Sequence, residues 1–541
     1  MKEETNLEKQ KETSNENTKQ LKKKFCFKNL NWTTIFKEIA YWIFVGVLIL
    51  FFDYLEFNTP EKASASFYLS LDATRKQVFT VLFIFALIID IILHIIKNKK
   101  IQIYQKFIIL AIGIGICYWI AVPFGQGTDE VSHFLRVYEI SRKYTSLHYE
   151  DTTEFPKAFE TLQNYQADRN TSYESYKQNY DSFFMGSEEK VDLLPYYWNI
   201  RLYSPIQYLP QAIGVTVGRI VSDNILVIGT FGRIFGYVAW IAICAYAIKI
   251  VPNKKTFFMI LCLLPINLFS AVCLSGDTLT NAACMIFLAM IYRKFYLKEK
   301  VELKDKIILL VSGCLIALCK IVYLPFVFLI LLLKEKNFNS KKDCRIFMAI
   351  LIIIVCIVGL AWFKIGSNNL VESNEASKEQ VKFILNNPLK YSLILLHTLE
   401  EKGTDYIYQF TTGYELVCHG KTMIYPIISY IISIITILAI FVNEDKNDTK
   451  LNTLRKILVW LIILGTSLLI MTAIYVQWTS LFEIGRYMIA GLQGRYFIPV
   501  ALLLIFVIDT IKLDIKKENL ISFLTIMQLP ILGLIMNTFV K

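Results

Sequence analysis

From about residue 38 onward, long apolar runs alternate with short polar clusters along the chain. An α-helix rises about 1.5 Å per residue, so about 20 apolar residues cross roughly 30 Å of hydrocarbon. The pattern predicts spans at Ile39–Phe52, Val78–Ile96, Phe107–Phe124, Val227–Ile250, Phe257–Ser275, Leu279–Leu297, Ile307–Leu318, Val322–Leu333, Ile346–Phe363, Met423–Val442, Ile457–Tyr475, Tyr496–Asp509 and Leu520–Phe539. The expected fold is an all-α integral membrane protein of about thirteen transmembrane helices. Around Lys320 and Pro325 the pattern fits one kinked helix or two half-length ones.

Lysines and arginines cluster at the ends of these runs, and the positive-inside rule turns the clusters into an orientation. Lys97–Lys100, Lys254–Lys255, Arg293–Lys306, Lys334–Arg345, Glu444–Arg455 and Lys512–Lys517 are expected inside, with the N-terminus. Pro205–Val221 is apolar enough to be a span, but counting it as one would invert every later basic loop. It is therefore read as an interfacial or re-entrant helix, which its two prolines and Arg219 also suit. The resulting organisation is a disordered cytoplasmic tail at 1–37, three spans at 38–123 and a large extracytoplasmic loop at 124–226. Spans follow at 227–363, a second extracytoplasmic loop at 364–422, and C-terminal spans at 423–541. No internal repeat supports an inverted-repeat transporter.

Composition agrees with a membrane location. Only 19% of residues are charged while 55% are hydrophobic, whereas a soluble protein usually carries about one quarter charged residues. The net charge of +12 sits at span ends, where anionic lipid attracts it, so nucleic acid is excluded as a partner. Most of the 11 cysteines lie inside apolar runs, no CxxC pair occurs, and the 124–203 stretch has none. Disulfides and thiolate metal sites are not expected. No nucleotide-binding loop or GxSxG is present, so a substrate arriving through the bilayer fits better.

Chemistry-bearing residues are sparse and gather at the outward ends of the spans. In VPFGQGTDEVSHFLRVYEISR, a helix from Thr128 would place Asp129, His133 and Arg136 on one face, with Glu130 beside them. Thr128 would cap that helix. Asp277 lies at a tight junction between spans, as a cap or as part of a site fed by the first loop. Lys320 is a charge midway through apolar sequence with no acid near it in the chain, so it either snorkels or points at a partner. Gln493, Arg495 and Tyr496 enter a late span, as an interfacial anchor or a phosphate contact. Arg233 sits early in a glycine-rich span, as a structural partner of Asp277 or a phosphate contact. His94 is expected in a span core. His397 and His419 lie near Glu400, Glu401 and Asp405 without metal-site spacing.

The order of these pieces resembles the GT-C superfamily of polyprenyl-phosphate-dependent glycosyltransferases. It comprises a span, an outward Asp-Glu, a long loop ending in Tyr196-Tyr197-Trp198 and SPIQYLPQ, Gly232-Arg233, Asp277, a Lys-Tyr-Pro segment, and QGRYFIP. The pattern D-E-x-x-H-x-x-R with Q-G-R-Y is similar to a family of bacterial multi-pass proteins associated with surface polysaccharide synthesis. The resemblance runs from about Ala121 to Asp509 and implies roles residue by residue. Asp129 would be the base or a metal holder with Glu130 as second choice, Asp277 the second acid, and Lys320 and Arg495 the lipid-phosphate contacts. Outside what the resemblance carries over, His133, Arg136, Gln493, Tyr496 and Arg233 are the remaining candidate substrate-binding residues. A divalent ion, if used, would sit on Asp129 and Asp277. One departure is that two spans precede the one entering the loop, where many members have one. The implied activity is hexosyl or related transfer from a lipid-phosphate sugar to a glycan or lipid acceptor, on the extracytoplasmic face of the cell membrane. The competing readings are a flippase for a lipid-linked glycan and a non-enzymatic scaffold.

Overall fold

The computed structural model describes residues 32–57, 73–98, 100–142, 154–167, 190–192, 200, 202–368, 373–413, 424–442, 451–508 and 515–539. Tyr196-Tyr197-Trp198, His419, Asp509 and most of the expected N-terminal tail lie outside them. The chain divides into two compact units, Met1–Leu71 and Asp72–Lys541. The first holds one described helix, Trp32–Phe57, which contains the first expected apolar run.

The second unit is an all-helical membrane bundle with one small addition. Among the described residues, six helices are long and apolar enough to cross a bilayer: Phe79–Ile96, Ile103–Ala121, Ile225–Ile250, Lys341–Ser367, Thr453–Leu481 and Lys517–Met536. A seventh is counted if the pair Lys255–Cys262 and Pro265–Val272, bent by 59°, is one span. Ile350, Ile353, Ile357 and Leu360 form an exposed stripe on one of these helices, while Leu351 and Val355 on the other side are buried. Each exposed aliphatic side chain would cost about 1.5–3 kcal/mol in water relative to burial, so lipid is its natural solvent.

The expected count of about thirteen is larger because hydropathy cannot see where an apolar run breaks. At Leu263–Leu264 the chain turns, Pro265 opens the next helix without an N–H, and Asn267 donates back to the Leu261 carbonyl. The stretch around Lys320 resolves into a helix Leu303–Cys319 of 17 residues and a 3-10 helix Ile321–Leu332 of 12 residues. After Arg495 the run consists of a 3-10 turn and two helical turns, Ile498–Ala501 and Leu504–Val507. Asp277–Leu297 is long enough, but it is buried against protein on nearly every side.

Pro205–Val221 forms a 3-10 turn, Pro205–Tyr208, and a 13-residue helix, Leu209–Val221. At about 20 Å this helix is shorter than the hydrocarbon core. It packs antiparallel on Ile225–Ile250 through close backbone approach. A Cβ at Gly214 would lie 2.4 Å from the Phe231 carbonyl, and one at Gly218 would lie 2.8 Å from the Ile228 Cα.

Two features were not anticipated. Glu154–Pro156 pairs antiparallel with Lys190–Asp192, with Phe155 opposite Val191. Beneath this ribbon an aromatic cluster of Phe134, Tyr138, Phe155 and Phe159 clamps the helix Glu130–Arg142, with ring centroids as close as 4.9 Å. The stretch expected as a second loop carries the helices Ser373–Asn386 and Pro388–Thr411. His94 is exposed rather than in a core, and its Nδ1 lies 2.9 Å from the Asp90 carbonyl one turn back.

Candidate functional site

The site begins where the span Ile103–Ala121 hands over to the helix Glu130–Arg142. Gly125 takes a left-handed φ of 85°, and a Cβ on Gly127 would come within 2.8 Å of Cys273, so both glycines are needed to make the turn. Their amides donate to Oε2 of Glu130 at 3.0 Å each, and Leu274 N donates to Oε1 at 2.9 Å. Arg233 completes the arrangement with Nε to Oε1 and Nη2 to Oε2, both at 2.6 Å, and donates to the Val122 and Pro123 carbonyls as well. Glu130 is fully buried and its two oxygens are saturated. A carboxylate so held has no lone pair left for chemistry; it ties the turn, the helix and the 273–274 segment to one span. Glu130 thus forms a buried ion pair with Arg233, and the acidic partner of Arg233 is Glu130 rather than Asp277.

Asp129 is its opposite in every respect. It has φ of 54°, in the left-handed region, and precedes the helix instead of lying on it. Its side chain is 60% exposed. Its carbonyl accepts from His133 N, and the expected Thr128 cap is absent, since Thr128 Oγ1 is buried and makes no hydrogen bond among the described residues. Arg136 turns away to Glu139 at 2.6 Å and so does not share a face with Asp129.

Three further chain segments then converge in front of Asp129. Asp277 is the first residue of the helix Asp277–Leu297, beyond the cap position Gly276, and suits its positive end. Its Oδ1 lies 2.5 Å from Lys320 Nζ and its Oδ2 3.3 Å from Arg495 Nη1. Lys320 stands between the helix Leu303–Cys319 and the 3-10 segment that follows. Arg495 reaches on to Asp129 at 3.7 Å and is steadied by Gln493, whose Oε1 accepts from Nε at 2.6 Å. The Tyr496 ring lies under both cations, 4.6 Å from Lys320 Nζ and 5.4 Å from Arg495 Cζ. Asp129, Asp277, Lys320, Gln493, Arg495 and Tyr496 thus form one cluster from positions up to 367 residues apart.

His133 closes one side. Its Nδ1 lies 2.7 Å from the Tyr208 hydroxyl, and its ring stacks on Tyr203 at 6.3 Å. Burial pushes its pKa down to about 4 despite the carboxylates of Asp129 and Asp277, so the ring is neutral at pH 7. Burial likewise raises the Tyr203 and Tyr208 hydroxyls, which remain protonated donors. These tyrosines were missed as site residues, as were Gln207 and Gln211. Gln207 donates to the Gly276 carbonyl at 2.7 Å and to Thr280; Gln211 donates to the Ser275 carbonyl at 3.0 Å. The pair holds the Ser275–Gly276 junction that aims Asp277. Their four-residue spacing was the only signal in the sequence.

A divalent ion between Asp129 and Asp277 does not fit this donor set. Both facing oxygens are already on Arg495, and the other Asp277 oxygen is on Lys320, so an ion there would sit against a guanidinium. His397 lies 3.9 Å from Glu400 and against Tyr487, while Asp405 pairs with Lys402, so these residues do not converge on one point.

No curated protein and no solved structure matches the chain. Residues 110–504 match a family described as "Predicted membrane protein (DUF2142)", over more than half of the chain and including every residue of the cluster. The chain belongs to the DUF2142 family of membrane proteins.

Proposed function

We propose that this chain is a membrane glycosyltransferase that moves a sugar from a polyprenyl-phosphate donor to a glycan or lipid acceptor. Transfer takes place at the extracytoplasmic face of the cell membrane, with the N-terminus inside. In this reading the short and broken apolar segments complete the crossings that the six or seven long helices leave open. The observation that carries the proposal is Arg495, which reaches exposed Asp129 with one nitrogen and Asp277 with another while Lys320 stands on the same Asp277.

That geometry supports a specific division of labour. Lys320 and Arg495 receive the donor phosphate, and Asp277 keeps both cations in register. A phosphate drawing Arg495 toward itself loosens the 3.7 Å contact and frees the Asp129 carboxylate. Asp129 then takes the proton of the acceptor hydroxyl as its oxygen attacks the anomeric carbon. The bond between that carbon and the phosphate oxygen breaks, and the polyprenyl phosphate departs with the electron pair. His133, neutral and backed by Tyr208, offers a hydrogen bond without adding charge. Comparing surface glycans from cells with the wild-type gene, without it, and with Asp129→Asn tests the reading. Loss in both defective strains is expected; wild-type glycans from Asp129→Asn membranes would overturn it.

A further inference from the structure

The end of the bundle opposite the cluster carries a second concentration of charge. The 3-10 helix Ile321–Leu332 leaves Lys320 and covers about 24 Å at roughly 2.0 Å per residue, delivering Lys334 near the far side of the hydrocarbon. There a groove of about 600 Å³ is lined by Leu331, Lys334, Lys336, Cys344, Met348 and Arg455, among others. The helices Lys341–Asn368 and Thr453–Gln477 both begin beside this groove, the first lending it Cys344 and Met348 and the second Arg455.

Neighbouring basic residues on this end are neutralised within the fold. Arg293 pairs with Glu299 at 2.9 Å, Lys294 with Asp305 at 2.6 Å and Lys306 with Asp343 at 2.5 Å. Asn337 donates to the Lys294 and Glu299 carbonyls, which joins that loop to the groove. Lys334, Lys336 and Arg455 form no ion pair among the described residues, and Glu335 at the rim is engaged by Lys341 at 3.4 Å. Arg455 is close enough to Lys334 to lower the pKa of its ammonium, with Lys336 and Lys298 adding to the effect. Cations that repel one another around an apolar-walled groove at a membrane boundary are matched by a phosphate that brings its own alkyl chain.

We propose that this groove binds the phosphate of an anionic phospholipid between Lys334, Lys336 and Arg455, with an acyl chain running down Leu331 and Met348. A span-end cluster that merely obeys the positive-inside rule would recruit anionic lipid diffusely and depend on no particular residue.

The test uses the full-length protein purified in a nonionic detergent, with thermal unfolding followed as lipid is titrated. Dioleoyl phosphatidylglycerol is expected to raise the Tm saturably, and dioleoyl phosphatidylcholine is not. The double variant Lys334→Gln, Arg455→Gln is expected to need roughly tenfold more phosphatidylglycerol for the same shift, while Lys334→Arg, Arg455→Lys keeps it. Both changes are at the accessible rim, and the lipid-free Tm of each variant reports its folding. Millimolar inorganic phosphate serves as the headgroup without its chain. A phosphate shift equal to the lipid shift would make this a free-anion site and overturn the lipid assignment. An unchanged phosphatidylglycerol response in the glutamine variant, or equal responses to the two lipids, would overturn the site itself.

Discussion

Lys320 Nζ stands 2.5 Å from Asp277 Oδ1, and the two side chains are only about a tenth exposed although 43 residues separate them. A nearly buried pair of this kind is worth little against an apolar substitute, yet removing one partner strands the other charge at a cost of about 3–5 kcal/mol. Lys320→Met and Asp277→Asn should each lower the unfolding midpoint clearly. The double variant should lose less than the sum of the two. Thermal unfolding of all four proteins in detergent checks this, and strict additivity would mean that the pair is not coupled.

Adjacent acids should give opposite phenotypes. Glu130→Gln keeps the shape of the side chain but leaves buried Arg233 without its counter-charge, at a cost of about 3–5 kcal/mol. Low yield and a fallen Tm are expected. Asp129→Asn changes an exposed side chain and should leave Tm nearly unmoved while surface glycan production stops. The comparison is made on one preparation of each variant, scored for yield, Tm and product.

His133 ties stability to pH. Its pKa in the fold is about 4, below the ordinary value near 6.5, so the unfolded chain takes up the proton first as pH falls. Stability contributed by the neutral ring is complete above about pH 6.5 and drains away between there and about pH 4, by up to about 3 kcal/mol. A His133→Gln variant should show a flatter Tm profile across that window. A wild-type profile with no slope there would mean that the ring is not held neutral by burial.

Much of the cluster could be read in the sequence because its charges interrupt apolar runs. Lys320 and Asp277 stand out against their surroundings, and Gln493, Arg495 and Tyr496 open a late run. What sequence could not supply was pairing. Asp129 and Glu130 are neighbours of like charge, and only the left-handed turn at Asp129 sends one outward and the other down to Arg233. Arg136 looked like a member of the cluster because the helix was expected to begin at Thr128; it begins at Glu130, and Arg136 finds Glu139 instead. Tyr203 and Tyr208 were hidden among 30 tyrosines, a residue that membrane interfaces favour for general reasons. The thirteen apolar runs correspond to only six or seven long apolar helices among the described residues for a related cause, since the break at Leu263–Leu264 and the 3-10 stretch after Lys320 are as apolar as straight helices.

Gly494 offers a steric test of the same site. It precedes Arg495, and its amide donates to Gln409 Oε1 at 2.9 Å. A Cβ there would lie 2.1 Å from the Tyr406 carbonyl oxygen and 2.6 Å from Phe410 N, both backbone atoms of the helix Pro388–Thr411. Neither can swing aside as a side-chain tip would, so Gly494→Ala must move the Gly494–Phe497 turn and carry Arg495 off Asp129 and Asp277. Overpacking of this kind costs about 1–3 kcal/mol, and the displacement should also cut product formation. Gly465 in the helix Thr453–Gln477 is the matched control, because a Cβ there meets nothing within 4 Å. Gly465→Ala should leave activity intact and raise stability by about 0.5–1 kcal/mol through helix propensity. If both alanines behaved alike in Tm and in product formation, close contact at Gly494 would not be what positions Arg495.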